Sequence, residues 1–518
     1  MVNRVIGVVL ALLATAAPVV AAEGPAVEPT RDGISQVLVA VIITAVFVLL
    51  ALEKAHRVLV IFSAVGLMWL ITYLTPYHLI PFETAKDAID LNVIVLLASM
   101  MAVVGVLKTT GVFSYAVARI LRASGGRPAL IVALMIWFTG ILSSVADNVT
   151  TVIFTTPMAL EIARRLRIRP AAILLPMVLA SNIGGTATLI GDPPNILIGS
   201  GAGLSFLAFI LNLTAPVLIM LVLLEWYTSR YYRQDYDGGV QQLDPESLTL
   251  PPLENLTLLR IGLTIAALIF VGFFTHTLTG MPASIPAAAG AGALLLIQDV
   301  LYLRNRDASI DERIHGILKV MDEEIEWPTL SFFAFLFIAV GAAVATGLID
   351  TLSQGLAGFI DWGAANFGLS STGTLLFAGL LILWVSGVLS ALIDNIPYVA
   401  VTIPIIANLT GRLHGDTEIL WWALSLGACL GGNGTAIGAS ANVTVIGLAE
   451  REGEHISFGQ FARLGVRVTA MTLLVSSVFI ASHLYLGPPI THGAMFAGLV
   501  VFFVARTALR RNGRSHTT

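Results

Sequence analysis

Apolar runs broken by short polar clusters recur along almost the whole chain and set its plan. The runs at 34–52, 58–74, 91–107, 204–226, 285–303, 328–344 and 466–486 are long enough to cross a hydrocarbon layer as α-helices. Shorter runs at 261–274 and 494–506 read the same way. Two others, 171–200 and 420–448, are long but interrupted by glycines, the first also by Pro193-Pro194. Two pairs of short runs, 129–142 with 149–163 and 374–389 with 397–409, each double back about a polar tip. At about 14 residues these arms suit a hairpin that enters and leaves by one face. The pattern predicts an all-α polytopic membrane protein with about eleven transmembrane helices plus two re-entrant hairpins. The roughly ten-residue alternating segments of a membrane β-barrel do not dominate.

The polar clusters orient this plan. Lys54, Arg57, Arg119, Arg122, Arg127, Arg164, Arg165, Arg167, Arg169, Arg230 and Arg233 fall in loops that one consistent threading puts on the same side. By the positive-inside rule that side is the cytoplasm. Arg31, Lys86 and Arg412 are the exceptions. The expected topology places the N-terminus outside, the basic tail Arg510, Arg511, Arg514 in the cytoplasm, and the chain in the cytoplasmic (inner) membrane. The first hairpin then enters from inside. The second, with Asp361 and Asp416 at its feet, enters from outside.

Residues 1–22 read as a cleaved signal peptide: Arg4, an apolar stretch from 5 to 16, and a small-residue site at Val20-Ala21-Ala22, the alternative being a retained first helix. The expected divisions are N-terminal helices at 23–90, a first half at 91–228 and a cytoplasmic linker at 229–257. A connecting helix pair with a charged surface segment, read as a solvated loop beyond 304, follows at 258–327. A second half spans 328–487, and a last helix with the basic tail spans 488–518.

Composition narrows the class. Hydrophobic residues are 57% and charged residues 12% of the chain, about half the charged share of soluble domains, and mean hydropathy is +0.88. The net charge of −4 points to no nucleic-acid partner. One cysteine, Cys429, excludes an internal disulfide and a Cys-based metal cluster. No Walker-type phosphate loop is present, so ATP is not the expected energy source, and no cofactor is implied.

The halves are related in sequence. At a constant spacing of 247 residues, Trp137, Gly140, Ser143, Asp147, Asn148, Thr155 and Pro157 match Trp384, Gly387, Ser390, Asp394, Asn395, Thr402 and Pro404. The same spacing carries Gly184, Gly185, Thr188, Gly191 and Asn195 onto Gly431, Gly432, Thr435, Gly438 and Asn442. Upstream, at 236, Asp90, Gly105 and Gly111 match Glu326, Gly341 and Gly347. With hairpins entering from opposite faces, the expectation is two inverted repeats with discontinuous helices, the plan of secondary transporters.

Each half then supplies a hairpin tip and a glycine-broken helix, whose freed backbone groups are tolerated only beside protein or a water-filled cavity. The candidate ion- and substrate-binding residues are Ser143, Asp147, Asn148, Thr186, Thr188, Asp192 and Asn195 in the first half. Ser390, Asp394, Asn395, Asn433, Thr435, Ser440 and Asn442 are those of the second. A Na⁺ ion at Asp147 and Asn148, or at Asp394 and Asn395, would favour the ionised carboxylates, whereas desolvation favours the protonated ones. That competition makes cation/proton exchange possible. The alternative is that each Asp only caps its return helix. Asp192 has Ala439 as its counterpart and could merely shape a turn before Pro193-Pro194. Cys429 reads as packing rather than as a ligand.

Ser-x-x-x-Asp-Asn followed by Thr-x-Pro, with Asn182-Ile183-Gly184-Gly185 through Gly191-Asp192-Pro193-Pro194-Asn195, resembles the ion transporter superfamily in its ArsB/NhaD branch. That branch holds arsenite efflux pumps, NhaD-type sodium–proton antiporters and the melanosomal P protein, and citrate-transporter-like domains belong nearby. Gly427 to Asn442 looks especially like the P-protein type. The resemblance implies a homodimer held by a scaffold, with a two-hairpin transport unit moving as an elevator. Sodium-coupled dicarboxylate carriers of the superfamily have Ser-Asn-Thr at the tips, where this chain has Asp-Asn. The expected function is secondary active transport of a small ion, Na⁺ or another, against H⁺, and not an enzymatic one. The alternative is an arsenite, metalloid or small-anion permease. A channel fits paired re-entrant tips less well, and the Gly-x-Gly-Asp of intramembrane aspartyl proteases is absent.

Overall fold

The computed structural model describes residues 28–52, 54–237, 253–305 and 320–512. The described residues contain helices and no strand. Nine of these helices are long and apolar enough to cross a membrane, so the chain is a multi-pass membrane protein. In order they run α1 Gly33–Ala51, α2 Arg57–Leu74, α3 Phe82–Ala88, α4 Leu91–Thr109, α5 Val112–Ser124, α6 Pro128–Ser143, α7 Asn148–Leu166, α8 Ala171–Gly185, α9 Pro193–Ala202 and α10 Phe206–Tyr231. A connecting pair, α11 Leu256–Thr279 and α12 Ser284–Asn305, follows. Then come α13 Trp327–Ala345, α14 Leu348–Phe367, α15 Ser371–Leu392, α16 Asn395–Thr410, α17 Ile419–Gly431, α18 Ser440–Arg451, α19 Phe458–Leu486 and α20 Pro488–Asn512.

The sequence spacings reappear as element boundaries. α4 and α13 are 19-residue helices starting 236 residues apart. α7 and α16 start 247 apart, as do α9 and α18. Gly111 and Gly347 open α5 and α14 with φ of 75° and 80°, left-handed values that cost a side chain dearly. Gly140 and Gly184 bring α6 and α8 together backbone to backbone, and a Cβ on Gly184 would run into the Gly140 carbonyl. In the second half a Cβ on Gly431 would lie 2.5 Å from the Gly387 oxygen. These four glycines are what lets a hairpin arm lie along a broken helix.

The broken helices form the centre. Every residue of α8 and of α17 is buried, whereas α1, α11 and α12 bury less than a third of their apolar windows and are peripheral. The hairpins stand on opposite ends of α19. Arg164, near the first hairpin's foot, donates to Glu452 in the loop before α19 (2.9 Å). Asp416, beyond the second hairpin, pairs with His483 in its last turn (3.3 Å). A 29-residue helix separates those ends by about 43 Å.

Several expectations change. α15, read as a short arm, has 22 residues and is itself long enough to span. α3, α5 and α14 lie where loops were expected. In α5 the buried residues Val117, Leu121 and Ser124 recur at helical spacing, with Arg119 and Arg122 between them, so the apolar stripe never makes a continuous run. The charged segment beyond 304 carries a π-helical turn, Val320–Glu324, before α13. The signal-peptide reading, residues 238–252 of the linker, residues 306–319 of the charged segment, and Arg514 lie outside the described residues.

Candidate ion and solute site

Both hairpin tips end in an aspartate at the N-cap of the return helix. The Asp147 carboxylate accepts from Thr150 N–H at 2.9 Å. Asp394 accepts from Ile396 N–H at 3.1 Å, and its second oxygen accepts from the Ser440 hydroxyl at 2.8 Å. Capping is therefore part of what each residue does. It leaves the other Asp147 oxygen outside the cap, and joins Asp394 to the start of α18.

Between the tips lies a cluster of buried amides. Asn148 donates to Asn182 (3.2 Å) and to Asp192 (3.1 Å). Asn182 in turn donates across to the second half, to Asn433 at 2.9 Å and Asn442 at 3.0 Å. Asn195 donates to the Thr186 and Thr188 carbonyls, and its oxygen accepts from Ser425 at 2.6 Å and from the Cys429 thiol at 3.5 Å. Asn442 makes the matching bonds to the Gly432 and Thr435 carbonyls. Each broken helix thus has its loose carbonyls held by an asparagine from its own far segment, as backbone buried in a membrane requires.

Two adjoining cavities border this cluster. The smaller, of about 20 Å³, is roughly the size of one water and is lined by Asp147, Asn148, Asp192, Asn395 and Ser440, with Arg57 and Glu326 opposite. The starts of α7, α9, α16 and α18 all reach it, so the positive ends of four helix dipoles border it. Two buried polar atoms at its wall, Asp192 Oδ2 and Asn395 Nδ2, have no hydrogen-bond partner among the described residues. The larger cavity, about 700 Å³, runs from Asp394, Ser440 and Glu326 to the α1–α2 turn and to Arg451 at the end of α18. Arg57, at the start of α2, stands between the two, donating to Ser440 (2.8 Å) and Thr329 (2.7 Å). Thr329 donates to Glu326 at 2.7 Å.

Of the residues expected to bind, Asp147, Asn148, Asp192, Asn395 and Ser440 meet at the small cavity, and Asp394 with Ser440 faces the large one. The remaining eight line neither space: Ser143, Thr188, Ser390 and Thr435 hold the tips to the broken helices, and Thr186, Asn195, Asn433 and Asn442 brace the broken helices themselves. The Ser143 hydroxyl accepts from Ser181 (3.1 Å), Thr186 donates to the Asn182 carbonyl, and Thr188 donates to the Ser144 carbonyl. Ser390 and Thr435 donate to the Ala428 and Ala391 carbonyls, and Asn433 to that of Leu179. Asn195 and Asn442 make the bonds given above. Cys429 is buried and packs against Asn195, in keeping with its reading as packing.

Sequence reasoning passed over Asn182, Arg57 and Glu326. Asn182 matches Cys429 at the repeat spacing, so symmetry hid it. Arg57 reads as a topology signal. Glu326 was visible as the match of Asp90 but carried no assigned role.

The comparisons with known proteins fit this geometry. A family model described as citrate transporter matches residues 47–427. An uncharacterized transporter of Mycobacterium tuberculosis strain H37Rv is 36% identical over 454 residues, 86% of this chain and 97% of its own. The human P protein is 28% identical over 88% of this chain and 61% of its own length. Among solved structures, the Alcanivorax borkumensis YdaH transporter aligns with a TM-score of 0.53 at 18% identity, covering 88% of this chain and 98% of its own. Neisseria gonorrhoeae MtrF, described as illuminating a class of antimetabolite efflux pumps, aligns at 0.54 and 15% identity, covering 86% of this chain and 94% of its own. Those two share the fold. With the family model spanning well over half its length, the chain belongs to the CitMHS citrate transporter family of membrane transporters, within the ArsB/NhaD-type ion transporter superfamily.

Proposed function

We propose that this transporter exchanges a small cation, Na⁺ or one like it, for H⁺, with Asp147 and Asp394 alternately holding cation and proton. The observation that carries this reading is the pair of matched tip carboxylates bordering two adjoining cavities, with Asp192 and Glu326 beside them. Four acids lining these two adjoining spaces call for cations or protons to offset them. The two halves act as inverted repeats, and the hairpin unit moves as an elevator against a scaffold that includes α1–α4 and α13 and pairs two copies into a homodimer. The large cavity opens at the end of the molecule that bears Arg57, Arg164 and Arg451, the cytoplasmic end by charge, making this an inward-open arrangement.

A second reading, a small-anion permease, is favoured by the four converging helix N-termini, which suit an anion, and by the family's description. Proteoliposomes containing the purified chain, with an imposed pH gradient and Na⁺, Li⁺, K⁺, arsenite or dicarboxylates outside, separate the readings. Proton movement driven by a cation alone supports antiport. Proton movement only with an anionic or neutral solute supports the permease.

A further inference from the structure

We propose that Arg57 is a built-in counter-cation: it stands in for the transported cation in the empty carrier and ties the hairpin unit to the scaffold until that cation arrives. This rests on the antiport reading and assigns coupling to a residue outside both repeats. Arg57 begins α2, which packs along α13. It is fixed on that side by Thr329 and by the Phe332 ring, 5.7 Å from the guanidinium carbon. Its other arm crosses to Ser440 at the first turn of α18, which packs on α7. Ser440 passes the tie on, its own hydroxyl donating to Asp394. Among the described residues, Arg57 is the one arginine or lysine lining the small cavity, and it also lines the large one.

The tie is one-sided. At the repeat spacing Ser440 matches Pro193, which has no hydroxyl, so Asp147 has no corresponding link. While Asp394 is ionised, Ser440 must point its proton at the carboxylate and receive the guanidinium on its lone pairs. A cation or proton on Asp394 neutralises that carboxylate, so the bond from Ser440 loses its charge assistance and the chain of bonds to Arg57 no longer ends on a negative charge. The hairpin unit is then free to move loaded and held when empty, which is the condition for exchange without leak.

The test uses the full chain in proteoliposomes with Na⁺ as probe. Arg57→Gln is expected to lower the Na⁺ concentration for half-maximal proton exchange and to admit proton flux without Na⁺, each by about fivefold or more. A Val443→Cys side chain in the large cavity, read without Na⁺ by a membrane-impermeant maleimide, is expected to label about fivefold more slowly once the tie is cut. Ser440→Ala keeps the charge but cuts the link, and is expected to reproduce both effects if Arg57→Gln does not reach the membrane. Unchanged Na⁺ dependence, leak and labelling overturn the proposal. So does a higher demand for an anionic solute, which would make Arg57 a substrate ligand. Absence of cation-driven proton movement in the wild type, with labelling still slowed, would leave the tie standing and remove the antiport reading.

Discussion

Asn182 donates to Asn442 at 3.0 Å across 260 residues of sequence, and to Asn433 at 2.9 Å with its other hydrogen. One side chain of the first half thereby satisfies two buried carbonyl oxygens of the second. Asn182→Ala leaves both unpaired in a site with no room for much water. Each orphaned group costs about 1–3 kcal/mol, above the roughly 0.6 kcal/mol average for hydrogen bonds between membrane helices, because here the partners are fully buried. A clear drop in the detergent melting temperature is expected, read by intrinsic fluorescence. A melt matching wild type would mean that the halves are held by apolar packing alone.

Asp147 and Asp394 do two jobs that substitution can separate. Asparagine caps helices as well as aspartate does, whereas alanine loses about 1 kcal/mol. Asp147→Asn and Asp394→Asn should therefore melt like wild type yet lose coupled transport, and the two alanine variants should lose both transport and some stability. If the asparagine variants exchange ions at the wild-type rate, the carboxylates serve only as caps and the transport mechanism falls.

Much of this fold is written in its apolar runs, because a helix in lipid must be continuous, long and hydrophobic. The helix pairs about the tips, the broken helices and the matching of the tips follow from the runs and from Gly184-Gly185 and Gly431-Gly432, but the full length of α15 does not. α5 and α14 are a different kind of helix, with apolar residues only on the buried stripe, and a reading keyed to continuous runs passes over them. The site divides along a similar line. Residues matched between halves, such as Asp147 with Asp394, are visible as pairs. Asn182 and Arg57 work by breaking that symmetry, and the spatial neighbours that give them meaning lie 260 and 383 positions away.

The glycine pairs give a prediction about packing. A methyl group on Gly184 meets the backbone of Gly140, and one on Gly431 meets that of Gly387. Backbone cannot swing aside as a side chain can. Gly184→Ala and Gly431→Ala should each cost about 3 kcal/mol, the upper end for overpacking, and reduce the yield of monodisperse protein on size exclusion. Gly355→Ala, where a Cβ meets nothing within 4 Å, is the control and should change little.

Opposite entry of the hairpins can be read without any transport assay. Arg165 lies at the foot of the first and Arg412 just beyond the second, and both are exposed. The native thiol, Cys429, is buried, so it adds little background to a reagent that needs access to a thiolate. In sealed right-side-out vesicles, an impermeant maleimide should label Arg412→Cys at once and Arg165→Cys only after the membrane is opened. Inverted vesicles should give the reverse. Labelling of both from one side would mean that the two hairpins enter by the same face. Asp147 and Asp394 would then no longer be equivalent under a two-fold axis in the membrane plane, and the alternating exposure that antiport needs would have to come from some other motion.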